Sequence, residues 1–204
     1  MLESANIQLN SDQLGQLWRY HSLLRMRNQD RDLTRIVGFE NMVIKHYIDS
    51  MIVGDLITLP SPLLDLGTGA GFPGIPLKIR YPDLQIVLAE SRPRRVVFLK
   101  DVCKELGLKK IEVFEHKIVS RSFGRPVAAV ITRAVEEMDK TILRTSACVT
   151  GGSQLIFMKG PNVEPEIQSA MTRFADKFSL IVNKSYRLPH TSHQRRLVVL
   201  ERID

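Results

Sequence analysis

The first sixty residues carry apolar side chains at helical spacing. A first helix is predicted to begin at Asn10 or Ser11, either of which can cap it. Its expected buried stripe consists of Leu14, Leu17, Trp18 and Leu24, with His21 between them. A second helix is predicted to begin near Phe39 and to end before Pro60. Its expected buried face consists of Met42, Val43, Tyr47 and Met51.

From residue 63 onward, short apolar runs alternate with segments of helical length. Strands are predicted at 63–66, 85–90, 111–114, 127–132 and 153–158, and helices at 73–81, 93–106, 138–149 and 164–174. Strands separated by helices form a parallel sheet, whereas the last two runs, at 179–188 and 196–202, have no helix between them. We therefore predict an α/β fold with a mostly parallel seven-stranded sheet and an antiparallel C-terminal hairpin. This domain, at 58–204, follows a helical extension at 1–57.

Composition narrows the class of protein. The chain has 204 residues, 44% hydrophobic and 25% charged, which is typical of one globular domain. It has no apolar run near the ~18 residues that a membrane-spanning helix requires, and no secretory leader pattern. Cys103 and Cys148 lack a CxxC partner, which excludes a disulfide framework and cysteine zinc sites. We expect a cytoplasmic monomer that uses neither a metal nor a membrane.

The charge suggests a polyanionic partner. Lysine and arginine number 29 against 22 acidic residues, for a net charge of +7. Basic residues concentrate from Arg19 to Arg35 and from Arg92 to Lys110, the second run including Arg94 and Arg95. A solvated helix face is the alternative explanation for each run.

A glycine-rich turn follows the first predicted strand and opens a helix. Residues 63–74 have the sequence LLDLGTGAGFPG, in which Gly67, Gly69 and Gly71 permit a tight turn and close approach of a ligand to the backbone. Glu90 ends the next strand, 21 residues after Gly69. That spacing lets a carboxylate bind both hydroxyls of a ribose.

Two cofactors fit glycines at this spacing. Gly69-x-Gly71-x-x-Gly74 also satisfies the dinucleotide fingerprint, so an NAD(P)-dependent oxidoreductase is an alternative. Asp65 would repel a pyrophosphate, but it would attract the sulfonium and ammonium groups of S-adenosylmethionine. The sequence therefore favours the methyl donor.

The sequence also limits which methyl transfer is possible. Neither cysteine follows a strand, where it could act as the nucleophile that cytosine methylation needs. The fourth predicted strand ends Ile131-Thr132-Arg133-Ala134, which lacks the Asn or Asp with prolines typical of exocyclic-amine transfer. Guanine N7 remains plausible, because its free lone pair needs in-line placement and no general base.

Six stretches, taken together, resemble one family. They are Asp32-Leu33-Thr34, Lys45-His46-x-x-Asp49-Ser50, the loop from Asp65 to Leu77, Ile131 to Ala134, Lys159-Gly160 and Arg195 to Val199. The pattern is similar to that of the bacterial ribosomal small-subunit methyltransferase G family, also called glucose-inhibited division protein B. The resemblance implies a Rossmann-like class I methyltransferase with S-adenosyl-L-methionine as cofactor. It also implies N7 methylation of one guanosine in small-subunit (16S) ribosomal RNA, as naked RNA or in a ribosomal particle.

The resemblance also assigns cofactor contacts. With Asp65 and the loop glycines, they fall on Gly67, Phe72, Glu90, Ser91, Ile118, Val119 and Arg133. Where the family usually has Arg-x-Glu, this chain has Lys117-Ile118-Val119, so a carboxylate near the adenine is missing.

Three further polar residues lie three and four positions apart in the second predicted helix. His46, Asp49 and Ser50 share a helix face, but Ser50 lies within a helix and not on a strained elbow, which disfavours a hydrolytic triad. Either Asp49 orients a buried His46, or this face closes the pocket, with His46 and Arg133 as the catalytic pair.

Further basic residues are candidate RNA contacts. The set consists of Arg94, Arg95, Lys159, Arg195 and Arg196, the last two at the start of the final strand. His190 and His193 are expected to be solvated loop histidines. A small-molecule methyltransferase and a non-enzymatic ribosome-binding protein remain alternatives.

Overall fold

The computed structural model describes residues 1–119 and 122–204, and Arg31 by its backbone alone. The side chain of Arg31, one base of the run from Arg19 to Arg35, therefore lies outside the described part. The strands are β1 (Leu63–Leu66), β2 (Ile86–Ala89), β3 (Ile111–Phe114), β4 (Ala129–Arg133), β5 (Gln154–Lys159), β6 (Phe178–Arg187) and β7 (Gln194–Arg202).

These strands form one mixed sheet. Their order is β3-β2-β1-β4-β5-β7-β6. The first five strands pair in parallel, and β7 is antiparallel to both β5 and β6. The predicted fold, including the C-terminal hairpin, is confirmed.

Helices cover both faces of the sheet. They are α1 (Ser11–Arg31), α2 (Phe39–Met42), α3 (Asp49–Met51), α4 (Val53–Leu56), α5 (Gly74–Arg80), α6 (Pro93–Glu105), α7 (Met138–Thr145) and α8 (Glu164–Arg173). A π-helical segment (Val43–Ile48) joins α2 to α3. None of the helices described here is long and apolar enough to cross a bilayer.

The long helix α1 packs against α5 and α6. It begins with a capping box, in which Asn10 accepts from the backbone of Gln13 and Gln13 accepts from that of Asn10. The Gln13 amide also donates to the carbonyls of Ile79 and Arg80, two of the acceptors that the end of α5 leaves unpaired.

The expected buried stripe of α1 was partly wrong. Leu17 and Leu24 are buried, but Leu14 is 46% and Trp18 61% exposed. Tyr20, which the pattern omitted, is fully buried. The face turned toward α5 and α6 runs through Leu17, Tyr20 and Leu24, so Leu14 and Trp18 lie on the adjacent face.

Two cores lie on opposite sides of the sheet, because successive side chains of a strand alternate. Leu63 packs with residues of α1, α2, α5 and α6, whereas Leu64 packs with residues of α7 and α8. The N-terminal helices thus share a core with β1. The boundary between 57 and 58 stays a prediction.

Candidate active site

The three glycines of the loop differ in how closely other atoms approach them. Gly67, Gly69 and Gly71 have φ of 69°, 62° and 107°, a region that other residues rarely adopt. A Cβ at Gly67 would lie 2.8 Å from Val135, and one at Gly71 would overlap Ile75. At Gly69 the nearest atom outside the loop is Nη1 of Arg95, 3.7 Å away. A ligand can therefore approach the backbone at Gly69.

The side chain of Asp65, in β1, stabilises this loop through two hydrogen bonds. Its carboxylate is fully buried, and Oδ2 accepts from Thr68 Oγ1 at 2.6 Å and from the Gly74 amide at 2.8 Å. Burial raises the pKa of Asp65 to about 6, although both hydrogen bonds oppose the shift. Among residues 1–119 and 122–204, Oδ1 finds no hydrogen-bond partner. A fully buried side chain can attract a cofactor only through its charge, so the expected role of Asp65 toward the cofactor stays a prediction.

Glu90 follows the neighbouring strand β2, whose last residue, Ala89, accepts from the amides of Gly67 and Thr68. Its Oε1 accepts from the amides of Ser91 and Arg92, at 2.8 and 2.9 Å, which fixes the carboxylate. Its Oε2 lies 3.8 Å from the guanidinium of Arg95. This oxygen has acceptor capacity left for a ribose hydroxyl.

In the third predicted region of cofactor contacts, Ile118 and Val119, only the side chain of Val119 is exposed. Val119 is 49% exposed, but Ile118 is buried in the core and its carbonyl accepts from Arg144 at 3.0 Å. The Val119 amide donates to Ser122 Oγ. Any adenine contact here therefore falls to the side chain of Val119.

Arg133 lies at the end of β4, and its guanidinium contacts the π-helical segment, α3 and the glycine loop. Its Nη1 donates to the Lys45 carbonyl at 3.1 Å and lies 3.3 Å from Asp49 Oδ2. Its Nη2 donates to Nδ1 of His46 at 3.2 Å, and its guanidinium lies over the Phe72 ring, 5.2 Å from the centroid. Arg133 thus joins the π-helical segment to the glycine loop.

His46 is a neutral histidine of defined tautomer. Because arginine can only donate, Nδ1 of His46 must accept, which leaves the proton on Nε2. Nε2 therefore donates to Thr34 Oγ1, 2.8 Å away. Burial, and then the charge of Arg133, lower the pKa of His46 to about 3. The expectation that Asp49 orients this ring was wrong, since Thr34 and Arg133 do so.

Asp49 instead connects three elements. Besides Arg133, it accepts from Tyr186 Oη of β6 at 3.1 Å, and Arg195 Nε of β7 lies 3.5 Å from Oδ1. Ser50 donates to the His46 carbonyl and is fully buried, so it cannot be a nucleophile.

A cleft of about 450 Å³ opens at the carboxyl ends of β4 and β5. We call it the acceptor cleft. It is lined by Ile36, Lys45, His46, Asp49, Arg133, Ala134, Met158, Lys159, Gly160 and Arg195. Phe72 of the glycine loop stacks against His46 and so places the loop beside this cleft. The cleft thus lies at the edge of the sheet where ligands of open α/β folds bind.

Comparison with protein families identifies the chain. The family model described as rRNA small subunit methyltransferase G matches residues 13–198. The chain belongs to the rRNA small subunit methyltransferase G family. Relatives in it include ribosomal RNA small subunit methyltransferase G 2 of Syntrophobacter fumaroxidans, 49% identical over 100% of this chain and 41% of that protein. The protein of the same name from Bdellovibrio bacteriovorus is 43% identical, over 96% of this chain and 76% of that protein. The chain thus spans less than half the length of the first relative.

Two solved structures with a similar fold are methyltransferases. Ribosomal protein L11 methylase of Lactobacillus delbrueckii matches with a TM-score of 0.60 and 12% identity, over 78% of this chain and 79% of that chain. A glycopeptide N-methyltransferase complexed with S-adenosyl-L-homocysteine matches with a TM-score of 0.60 and 10% identity, over 76% and 88%. At such identities the matches show the fold alone, which is that of class I methyltransferases. The family match does not favour an oxidoreductase.

The candidate RNA contacts of this family member have different surroundings. Lys159 donates to Glu166 and to the Glu136 carbonyl, and Arg196 pairs with Glu164, Asn183 and Ser185. Arg195 borders the acceptor cleft, Arg95 borders Gly69, and Arg94 is exposed. Their roles with RNA stay predictions.

Three contributors to the site were missed as individual residues. Thr34 and Lys45 lay within the matching motifs, so a signal existed for them, whereas nothing in the sequence marked Tyr186. His190 contacts Ser4, and no three metal-ligating side chains cluster within the described ranges.

Proposed function

We propose that this chain transfers a methyl group from S-adenosylmethionine to N7 of one guanosine in small-subunit ribosomal RNA. Family membership supports the substrate class. The further proposal is a cytoplasmic monomer that acts on naked RNA or a ribosomal particle.

The observation that carries the proposal is a polar acceptor cleft whose histidine is held neutral and cannot act as a general base. Both ring nitrogens of His46 are engaged, and its pKa is far below neutrality. Asp49 is occupied by Arg133, Tyr186 and Arg195. Such a cleft suits guanine N7, because that nitrogen loses no proton on methylation.

The cofactor residues fit the methyl donor. The Gly69 backbone would face its methionine portion, Oε2 of Glu90 would accept from ribose hydroxyls, and Val119 would pack on the adenine. When bound, S-adenosylmethionine supplies an electrophilic methyl group. Phe72 and Arg133 would border the passage from that methyl group to the acceptor cleft.

Arg133 is suited to hold the guanine. Guanine presents N7 and O6 as acceptors on one edge, and N7 must stay free to attack the methyl carbon. The guanidinium has five N–H groups, of which three are used by Lys45, Asp49 and His46. The remaining donors can bind O6 and place N7 in line with the methyl carbon and sulfur.

A direct test is transfer of labelled methyl from S-adenosylmethionine to 16S ribosomal RNA, followed by cleavage specific for N7-methylguanosine. We expect one cleavage position with the parent chain and none with Arg133→Ala. Label at a carbon or an exocyclic amine would contradict the proposal. Separately, S-adenosylmethionine at a hundred times its Kd should stabilise the protein by about 2.7 kcal/mol, and NADH should not.

A further inference from the structure

A second concavity lies away from the acceptor cleft, between α1, the start of α2 and the N-terminal residues. We call it the aromatic groove, and its volume is about 770 Å³. Its lining consists of residues 1–3 and 7–9 of the N-terminal segment, together with Leu14, Leu17, Trp18, His21, Phe39, Val43 and Tyr47. Nothing in the proposed methyl transfer uses it.

Large aromatic surfaces are exposed in this groove. Trp18 is 61% and Phe39 49% exposed, and their rings meet edge to face at 6.3 Å. The indole also stacks on His21, at 5.5 Å between centroids. Apolar rings arranged in this way on a surface mark a binding site, and a flat partner can stack on them.

His21 adds an unused polar atom. The side chain is 97% buried, since its exposed fraction is 3%, and its Nδ1 contacts Tyr47 Oη at 2.9 Å. Within residues 1–119 and 122–204, its Nε2 has no hydrogen-bond partner. A buried nitrogen without a partner is costly, and a ligand in the groove that bears a polar edge would remove that cost.

A positive charge lies beside the groove, although no lysine or arginine of the described ranges lines it. Arg25 lies two helical turns after Trp18 on the same face of α1, and its charge lowers the pKa of His21, although burial is the larger cause. Glu3 is the one carboxylate among the lining residues that the structure describes. The chain as a whole carries +7.

We infer that the aromatic groove binds an unpaired nucleobase of the RNA substrate, distinct from the guanosine that is methylated. The base stacks on Trp18 and Phe39, its edge pairs with His21 Nε2, and a neighbouring phosphate lies near Arg25. The inference rests on RNA being the substrate. Lys45 and His46 border the acceptor cleft while Val43 and Tyr47 border the groove, so one π-helical segment of six residues adjoins both sites.

The chain provides its own probe, because Trp18 is its single tryptophan. Titration with a short unstructured oligoribonucleotide should quench Trp18 emission saturably, with a midpoint equal to the Kd from filter binding. Phe39→Ala and His21→Ala should weaken that Kd, roughly five- to 150-fold for loss of the stacking partner. Met26→Ala is the matched control, since Met26 is 60% exposed on the same helix and does not line the groove.

Two results would overturn the inference. One is unchanged Trp18 emission when filter binding shows the protein saturated with RNA. The other is a Trp18→Ala variant that keeps its RNA affinity but changes its sedimentation, which would make the groove an interface between two copies. The oligonucleotide experiment needs no methyl transfer. Quenching without N7 methylation would therefore contradict the proposed function and still support the binding of a base in the groove.

Discussion

The imidazole of His46 lies flat against the ring of Phe72, with centroids 4.2 Å and planes 12° apart. The guanidinium of Arg133 covers the same ring. Phe72 belongs to the glycine loop, whereas His46 and Arg133 line the acceptor cleft. One aromatic ring therefore couples the position of the glycine loop to the residues expected to hold the guanine.

Replacing Phe72 by leucine should slow methyl transfer more than it destabilises the protein. The ring interactions lost amount to about 1–3 kcal/mol of unfolding free energy. With Arg133 and His46 no longer fixed, we expect kcat to fall at least about tenfold, since small misplacements cost large factors in rate. Urea denaturation and single-turnover transfer measure the two effects.

The matched control for Phe72 is Phe174→Leu. Phe174 is equally buried and lies under Arg173, 5.3 Å from guanidinium to ring centroid, on the far side of the sheet. It should lose similar stability and keep the parent rate. Equal losses of rate in the two variants would mean that Phe72 acts through stability alone.

The raised pKa of Asp65 predicts a pH-dependent stability. Because burial raises that pKa from 3.8 to about 6, the folded state binds more protons than the unfolded state between those values. The contribution of Asp65 to folding is thus most favourable below about pH 4 and falls by roughly 3 kcal/mol as pH rises through 6.

Asp65→Asn isolates this contribution, since its amide oxygen can still accept from Thr68 and Gly74. Unfolding free energies of parent and variant should be compared from about pH 4 to pH 7. The parent should lose stability relative to the variant over that interval. A constant difference would show that Asp65 titrates at its ordinary pKa.

Alanine variants of two glycines with nearly equal φ distinguish the effect of backbone strain from a loss of cofactor binding. Gly69 and Gly107 have φ of 62° and 60°, and no atom lies within 4 Å of a Cβ at Gly107 among the residues described. Alanine at either position should cost about 1–2 kcal/mol of stability. Gly69→Ala alone should abolish binding of S-adenosylmethionine, as measured by calorimetry. Unchanged affinity of Gly69→Ala for S-adenosylmethionine would show that the cofactor does not contact this turn.

What the sequence could predict followed from spacing along the chain. Alternating strands and helices indicated the sheet, and Asp65, Gly69 and Glu90 were recognisable because their spacing brings them to one edge. Contacts between distant segments carry no such signal, so Tyr186 of β6 could not be placed beside Asp49. Apolar spacing in α1 fitted two adjacent helix faces, and packing on α5 and α6 selected the one without Trp18. Arg95 was grouped with a basic surface, yet the turn after Glu90 directs it toward Gly69.

Glu90 is expected to bind the ribose of the cofactor. Glu90→Ala should weaken S-adenosylmethionine binding by about 1.5–3 kcal/mol, the range for a hydrogen bond to a charged group. The amides of Ser91 and Arg92 fix the carboxylate through Oε1. Oε2 should therefore accept hydrogen bonds from the ribose hydroxyls. The parent should therefore also lose affinity for a cofactor analogue that lacks the 2′-hydroxyl. Glu90→Ala should bind the analogue and the natural cofactor equally, which makes a double-mutant cycle by calorimetry decisive. If the two losses simply add, Glu90 does not contact the ribose, and its effect arises from the turn that it holds.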